Sequence, residues 1–549
     1  MLRISALYAL LVLLSVRASA QVLGPEAVGD SLMAAYAAHG SPGGVVAVIE
    51  GGEVVFARGY GLANIEYGAP NTSATPYHMA SVSKQFTAFA VAMLQDQGLL
   101  SLDDDVRDYV PEVPDFGHTI TLRHLATHTS GLRDHWSLWT LSGGLMDDVI
   151  RQDDLLRLVV RQRELNFEPG AEFLYSNTGF LLLSEVVSRV TEQPFGEWME
   201  ANVFGPLGMD NTQVYDDHER VVPGRAYSYY RDEGGLKKSV LSFANSDATS
   251  LFTTAEDLAH WMRNFRTHEV GGARVARAML ERGVLASGDT LGYALGLFVD
   301  EHQGLRRIQH GGSDAGYRTF LAYYPEIDAG VVTVGNLASF DSGRVAERTA
   351  EAFFADDMDA PAPATAAEDA GPFALSDPGR YSGLYFADGF GTLEVARVRG
   401  RLTVALSDRD PLVLRALSDS LFVHEGFGVR FRFDLDADGV VTGGEVLAGG
   451  GLTFERFDPP TLTASEVDAL SGTYTGAELG TEYTVRAELD GLVVSHRRLG
   501  EAPLVPLPDG RFSAGPLGIV TFERNGDGAA TGFRATSDRV RNLRFDKSG

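Results

Sequence analysis

The sequence predicts an α/β domain of the α+β kind, an antiparallel sheet packed against a helical subdomain, followed by two all-β modules closed into small barrels. Three observations carry this. Strand-like runs stand at both ends of the first 355 residues, with amphipathic helices between them. An Asp/Ala/Pro-rich stretch then interrupts the pattern. Beyond it the chain breaks into short alternating segments, and those segments repeat. A chain of 549 residues exceeds what one hydrophobic core supports.

Residues 1–20 read as a secretory leader: Arg3 gives the positive end, Leu7 to Val16 the apolar run, and Ala18-Ser19-Ala20 the small-residue cleavage site. Cleavage after Ala20 would leave Gln21 first and place the protein in the periplasm or outside the cell. No later stretch approaches the roughly 20 apolar residues that span a bilayer, so no membrane span is expected after leader removal. The chain has no cysteine, which excludes disulfides, thiol chemistry and a lipid-modified N-terminal Cys.

The first folded domain is placed at residues 21–355. It opens with a hairpin, Gly44 to Ile49 and Glu53 to Arg58, around a Gly51-Gly52 turn. A helix follows from about Ser81 to Gln97, with Phe86, Phe89, Ala90, Met93 and Leu94 on its apolar side. Another apolar helix runs from Phe180 to Val190, and late strands are expected at 305–309, 319–324 and 331–334. Residues 356–372 read as an extended linker.

The first β-module is placed at 373–460 and the second, its tandem repeat, at 461–549. Ser382-Gly383-Leu384-Tyr385 returns as Ser471-Gly472-Thr473-Tyr474, and Phe433 to Gly443 returns as Phe522 to Gly532, both 89 positions on. Two matches at one offset identify a repeated unit. With the linker carrying few residues able to pack, the first domain is expected to be soluble without the modules.

Chemistry concentrates at three places. Ser81 and Lys84, three apart at the start of a helix, share one face and lie within side-chain reach. A serine hydroxyl needs a nearby base to become a nucleophile, and a lysine serves only where burial or a helix dipole destabilises its ammonium form. The same helix start offers N–H groups to a developing oxyanion. Tyr175-Ser176-Asn177 lies at a loop-to-helix junction, where a tyrosine can face a cleft and relay protons. His310-Gly311-Gly312 ends a strand, and its glycines allow a substrate backbone to approach closely.

In this order and at these distances, the three elements resemble the Ser-x-x-Lys, Tyr-x-Asn and Lys/His-x-Gly motifs of serine β-lactamases and penicillin-binding proteins. The resemblance is to the class C branch with its esterase, D-aminopeptidase and DD-carboxypeptidase relatives. Leu125 to Leu132 and Pro206 to Thr212 look like that branch's scaffold, and the likeness covers about residues 25 to 350.

The resemblance implies the β-lactamase-like transpeptidase fold, lipocalin-like barrels for the two modules, and a serine hydrolase that acts through an acyl-enzyme on small amides or esters. It implies Ser81 as nucleophile, and Lys84 and Tyr175 sharing the proton work. His310 lies beside the site, and the N–H groups of Ser81 and Ser313 form the oxyanion hole. Asn177, Gly311, Gly312, Ser313 and Arg318 fall on the substrate side, Arg318 as a possible carboxylate partner. β-Lactamases of the branch usually carry Lys where this chain has His310, which favours peptidase or esterase chemistry. The alternatives are a β-lactamase, or a non-catalytic receptor that binds cell-wall peptides in the same cleft. The barrels could wall that cleft.

The net charge of −28 becomes −30 once Arg3 and Arg17 leave with the leader. Such a surface repels nucleic acid and anionic headgroups, leaving a small molecule or peptide as the expected partner. No cofactor and no metal are expected. His124 and His128 have a zinc-like spacing but sit in the scaffold string, and Glu164 lies in an ordinary loop before Tyr175. Asp434, Asp436, Asp438 and Glu445 imitate an EF-hand loop, yet they fall among strands, where an Asp-Gly hairpin turn explains them.

Overall fold

A computed structural model of the protein describes residues 24–548 except 233, 247–248, 361–372, 389–390, 399, 407–410, 425–428, 448–450 and 490. The leader and most of the linker lie outside the described residues.

The sheet of the first domain has strands β1 (Gly44–Glu50), β2 (Glu53–Tyr60), β3 (Phe298–His302), β4 (Leu305–Asp314), β5 (Tyr317–Tyr324) and β6 (Ala329–Gly335). They are antiparallel in the order β3-β4-β5-β6-β1-β2. The two ends of the domain therefore meet in the sheet centre, with Gly44 opposite Gly335 and Glu50 opposite Ala329. The unbroken apolar run Val45 to Ile49 follows from burial on both faces. Val46 and Val48 pack under α1 (Pro25–Met33) and the domain's last helix, whereas Val45, Ala47 and Ile49 point into the larger core.

That core holds α2 (Lys84–Asp96), α3 (His135–Leu141) at its edge, α4 (Gln152–Val159) and α5 (Asn177–Thr191); the last helix is α6 (Ser342–Phe353). α2 is buried from Lys84 to Leu94, so its sequence shows little polar face. The turn before it differs from the expected continuous helix: Ala80–Ser83 is a 3-10 turn, and Ala80 has φ of +48°. A left-handed alanine next to Ser81 is costly backbone held by its surroundings.

Both β-modules are closed eight-stranded barrels. The repeat extends to individual hydrogen bonds. Tyr385 donates to the Tyr381 carbonyl at 2.6 Å, and Tyr474 to the Leu470 carbonyl at 2.6 Å. Asp436 Oδ1 accepts from the N–H groups of Asp438 and Val440, and Asn525 Oδ1 from those of Asp527 and Ala529. The aspartates of the EF-hand-like string thus build a hairpin turn, with Gly439 at φ +78°. Closure removes the exposed edges that open sheets would present.

The second barrel is not independent of the first domain. Leu138, Leu141 and Leu158 of α3 and α4 belong to the same apolar cluster as the barrel's Tyr474, Tyr483 and Phe545. Arg133, fully buried, donates to Glu478 at 2.9 Å and to the Arg541 carbonyl at 2.9 Å. Removal of the modules would uncover these groups, so the first domain and the second barrel are joined by a shared core as well as by the linker. The packed part of the first domain runs past residue 356: Met358 packs on the sheet's outer cluster and the Asp359 N–H donates to the Gln303 carbonyl.

Candidate active site

A cleft of about 890 Å³ opens between the sheet edge, the helical subdomain and the second barrel. Ser81, Tyr175, Asn177, His310, Gly311, Gly312, Ser313 and Arg318 all line it, together with Asp538 and Arg539 of the barrel. Lys84 lies behind this wall with no solvent exposure. Every sequence-derived candidate is therefore brought to one place.

Lys84 Nζ is the hub. It donates to Ser81 Oγ at 3.0 Å and to Asn177 Oδ1 at 2.7 Å. It sits 4.9 Å from the centre of the Tyr175 ring and 5.6 Å from that of Phe180. Asn177 is the first residue of α5, and its placement there follows from Asp134. The Asp134 Oδ2 accepts from the Asn177 backbone N–H at 2.6 Å and from its Nδ2 at 2.8 Å. Its Oδ1 caps α3 by accepting from Trp136 and Ser137. Burial alone would raise the pKa of Asp134, but Arg539, His135 and these N–H donors together hold it below the usual carboxylate range. A hydrogen-bonded path thus runs from Lys84 through the Asn177 amide to a buried carboxylate.

His310 is 2% exposed. Its Nδ1 lies 2.6 Å from the Gly311 carbonyl, which can only accept, so Nδ1 carries the proton and Nε2 accepts from the Tyr293 hydroxyl at 3.1 Å. Burial, then the Lys84 charge, push its pKa down to about 3, so the ring is neutral near pH 7. His128 is pushed down for the same first reason; its Nδ1 accepts from the Ser176 N–H at 3.1 Å and its ring lies 4.0 Å from that of Tyr175. Both histidines shape the pocket without charging it.

Gly312 brings β4 against the nucleophile turn. A Cβ there would lie 2.4 Å from the Met79 carbonyl oxygen and 3.0 Å from the Ala80 Cβ. The Arg318 Nη1 donates to the carbonyls of Ala315 and Tyr317 on its own hairpin. Two set-aside signals fall outside the cleft. His124 caps its helix with Thr121, and Glu164 pairs with Arg534 of the second barrel.

Sequence reasoning missed Asp134 and the barrel pair Asp538 and Arg539. Asp134 is one residue among many Asp-capped helices, and no local signal marks its partner. Arg539 reaches the cleft only because an entire barrel docks.

The family model described as Beta-lactamase matches residues 30–356. A D-aminopeptidase of Cereibacter sphaeroides (strain KD131) is 28% identical over 520 residues, 89% of this chain and 90% of that protein. A D-aminopeptidase of Gluconobacter oxydans is 28% identical over 296 residues, 54% of this chain, and the match spans only 56% of its length. The octameric penicillin-binding protein homologue from Pyrococcus abyssi aligns over 78% of this chain and 99% of its own, with TM-score 0.55 and 22% identity, a likeness of fold. With the family model covering the whole sheet and helical subdomain that hold Ser81, Lys84, Tyr175 and His310, the chain belongs to the beta-lactamase family.

Proposed function

We propose that the protein hydrolyses small amide or ester bonds through an acyl-enzyme on Ser81, with D-aminoacyl amides as the favoured substrate class. The observation that carries this is the buried Lys84 Nζ 3.0 Å from Ser81 Oγ at the wall of an open cleft. The hydroxyl proton passes to whichever of the two is unprotonated, the Lys84 amine or the Tyr175 phenolate, as Ser81 Oγ attacks the acyl carbon. The N–H groups of Ser81 and Ser313 receive the developing oxyanion, and the leaving amine or alcohol departs with the proton. Water then attacks the ester, and the same groups carry the proton back. The D-aminoacyl preference rests on relatives named D-aminopeptidase, one of which aligns over nearly the whole chain, barrels included.

The neutral His310 favours amide and ester substrates over β-lactams, because a lysine at that position would offer a full positive charge to a β-lactam carboxylate. The reading includes export by the leader, with Gln21 as the mature N-terminus; N-terminal sequencing of secreted protein tests that. For the chemistry, p-nitroanilides of D- and L-amino acids, p-nitrophenyl esters and nitrocefin are assayed on one preparation. Turnover of a D-amino-acid anilide or an ester supports the reading. No turnover of any of them, with no fluorophosphonate labelling, makes the protein a receptor instead.

A further inference from the structure

The hairpin of the second barrel formed by Ala530–Ser537 and Val540–Lys547 turns at Asp538 and Arg539, and the first domain grips that turn through its main chain. The Arg539 carbonyl accepts from the Asn166 side chain at 2.9 Å and from the Asp134 N–H at 3.4 Å. The Arg541 N–H donates to Asn166 at 2.8 Å, and the Arg541 carbonyl accepts from Arg133. Asp538, at φ +50°, accepts from Ser137 at 2.6 Å. A loop seated only by shape would not carry so many directional bonds at its tip.

The grip aims one side chain. The Arg539 guanidinium lies 3.7 Å from Asp134 Oδ2 and 5.0 Å from the centre of the Tyr175 ring. Asp134 is fully buried, and it holds both amide ends of Asn177, whose carbonyl oxygen holds Lys84. A buried carboxylate without a countercharge is costly and tends to take a proton. A protonated Asp134 would accept less well from Asn177 and loosen the hold on Lys84.

We propose that Arg539 is a positioning residue of the hydrolytic site, supplied by the second barrel, which keeps Asp134 ionised and thereby fixes Asn177, Lys84 and the Tyr175 ring. It touches no reacting atom. The catalytic machinery of the beta-lactamase-like domain is in this chain completed by its C-terminal barrel. The inference rests on the hydrolase reading above.

In the pH range where Asp134 stays ionised, the electrostatic consequence has a definite sign. Tyr175 faces Lys84 Nζ, the Arg539 guanidinium, the neutral rings of His128 and His310, and Tyr293, while Asp134 faces Arg539 and His135, and Asp538 accepts from Ser137. Taking away one positive charge makes either proton acceptor, Lys84 or Tyr175, hold its proton more tightly. The acid limb of kcat/KM then moves to higher pH.

The test uses the full-length protein with Arg539→Ala, Arg539→Met and Arg539→Lys. Met keeps the apolar stem if Ala unfolds, and folding is checked by circular dichroism. For the best anilide or ester, Ala and Met are expected to lower kcat by roughly 10–100-fold, the cost of a misplaced reacting group. The acid limb should rise by about half a pH unit or more. Lys should restore most of both. Wild-type kcat and pH profile in a folded Met variant overturn the proposal. A raised KM with unchanged kcat and pH profile also overturns it, making Arg539 a substrate contact. If wild-type protein itself turns over nothing, the hydrolase reading has failed and the variants are not needed to show it.

Discussion

Replacing Gly312 by alanine probes the closeness of β4 to the nucleophile turn. The Thr319 hydroxyl donates to the Met79 carbonyl at 2.8 Å, tying the sheet to the residues just before Ser81. An alanine Cβ at position 312 would stand 2.3 Å from that hydroxyl and 2.4 Å from the Met79 carbonyl oxygen, where ordinary contact begins at 3.4 Å. The shortfall is about 1 Å. Turning Thr319 away relieves one contact but breaks the tie, and the carbonyl cannot turn. The strand must therefore move off the Ser81 turn by about 1 Å. Overpacking of this kind costs on the order of 1–3 kcal/mol of stability, and a 1 Å displacement at a reacting centre costs about 100-fold in rate. The assay is kcat/KM on the best p-nitroanilide or ester, with circular dichroism to confirm folding. Gly29→Ala on α1, away from the cleft, is the control, because its Cβ comes no closer than 3.7 Å to the Phe56 ring. Gly312→Ala should lose about two orders of magnitude while Gly29→Ala stays near wild type. Equal activity in the two variants would refute the argument from close approach.

Lys84→Ala should lower kcat/KM by roughly 10²–10⁴-fold, the range for a lost proton-transfer group, with urea stability measured alongside; a decrease under tenfold would remove Lys84 from the chemistry. His310 and His128 are neutral in the fold and titrate near 6.5 when unfolded, so the unfolded chain binds more protons below that pH. Stability is thus full above pH 6.5 and falls as pH drops towards about 3, by about 1.4 kcal/mol per pH unit for each histidine while the window lasts. Urea unfolding of wild type and His310→Gln between pH 7 and 4 should show a shallower slope in the variant, and identical slopes would contradict the buried neutral ring. Glu478→Ala leaves the buried Arg133 with only the half-exposed Glu164 carboxylate at 3.8 Å and should cost about 3 kcal/mol, read as a lower urea midpoint. On one preparation at pH 7.5, the best ester or D-amino-acid amide should exceed nitrocefin in kcat/KM by at least about tenfold; nitrocefin as the better substrate would make the protein a β-lactamase.

Much of the domain was legible because its signals are local. The spacing of Ser81 and Lys84 forces them onto one helical face, and the 89-residue offset carried both barrels down to the capping of the Asp436 and Asn525 turns. The closeness of Tyr175-x-Asn177 to a helix start survives as the first turn of α5. What was not legible is long-range. The left-handed Ala80 has no sequence mark, since alanine ordinarily avoids that conformation. Asp134 works by reaching α5 from another loop. Arg539 depends on Leu138, Leu141 and Leu158 sharing a core with a barrel that sequence patterning treats as a separate unit.

The central claim is that Ser81 becomes acylated. Brief incubation with a fluorophosphonate, and separately with a slowly released ester quenched in acid, followed by peptide mass spectrometry, tests it directly. Ser81 is expected to carry the added mass in both, and Ser81→Ala to carry none while keeping the wild-type circular dichroism spectrum and losing hydrolysis. An adduct on another residue, or a Ser81→Ala protein that keeps a tenth of wild-type activity, would contradict it.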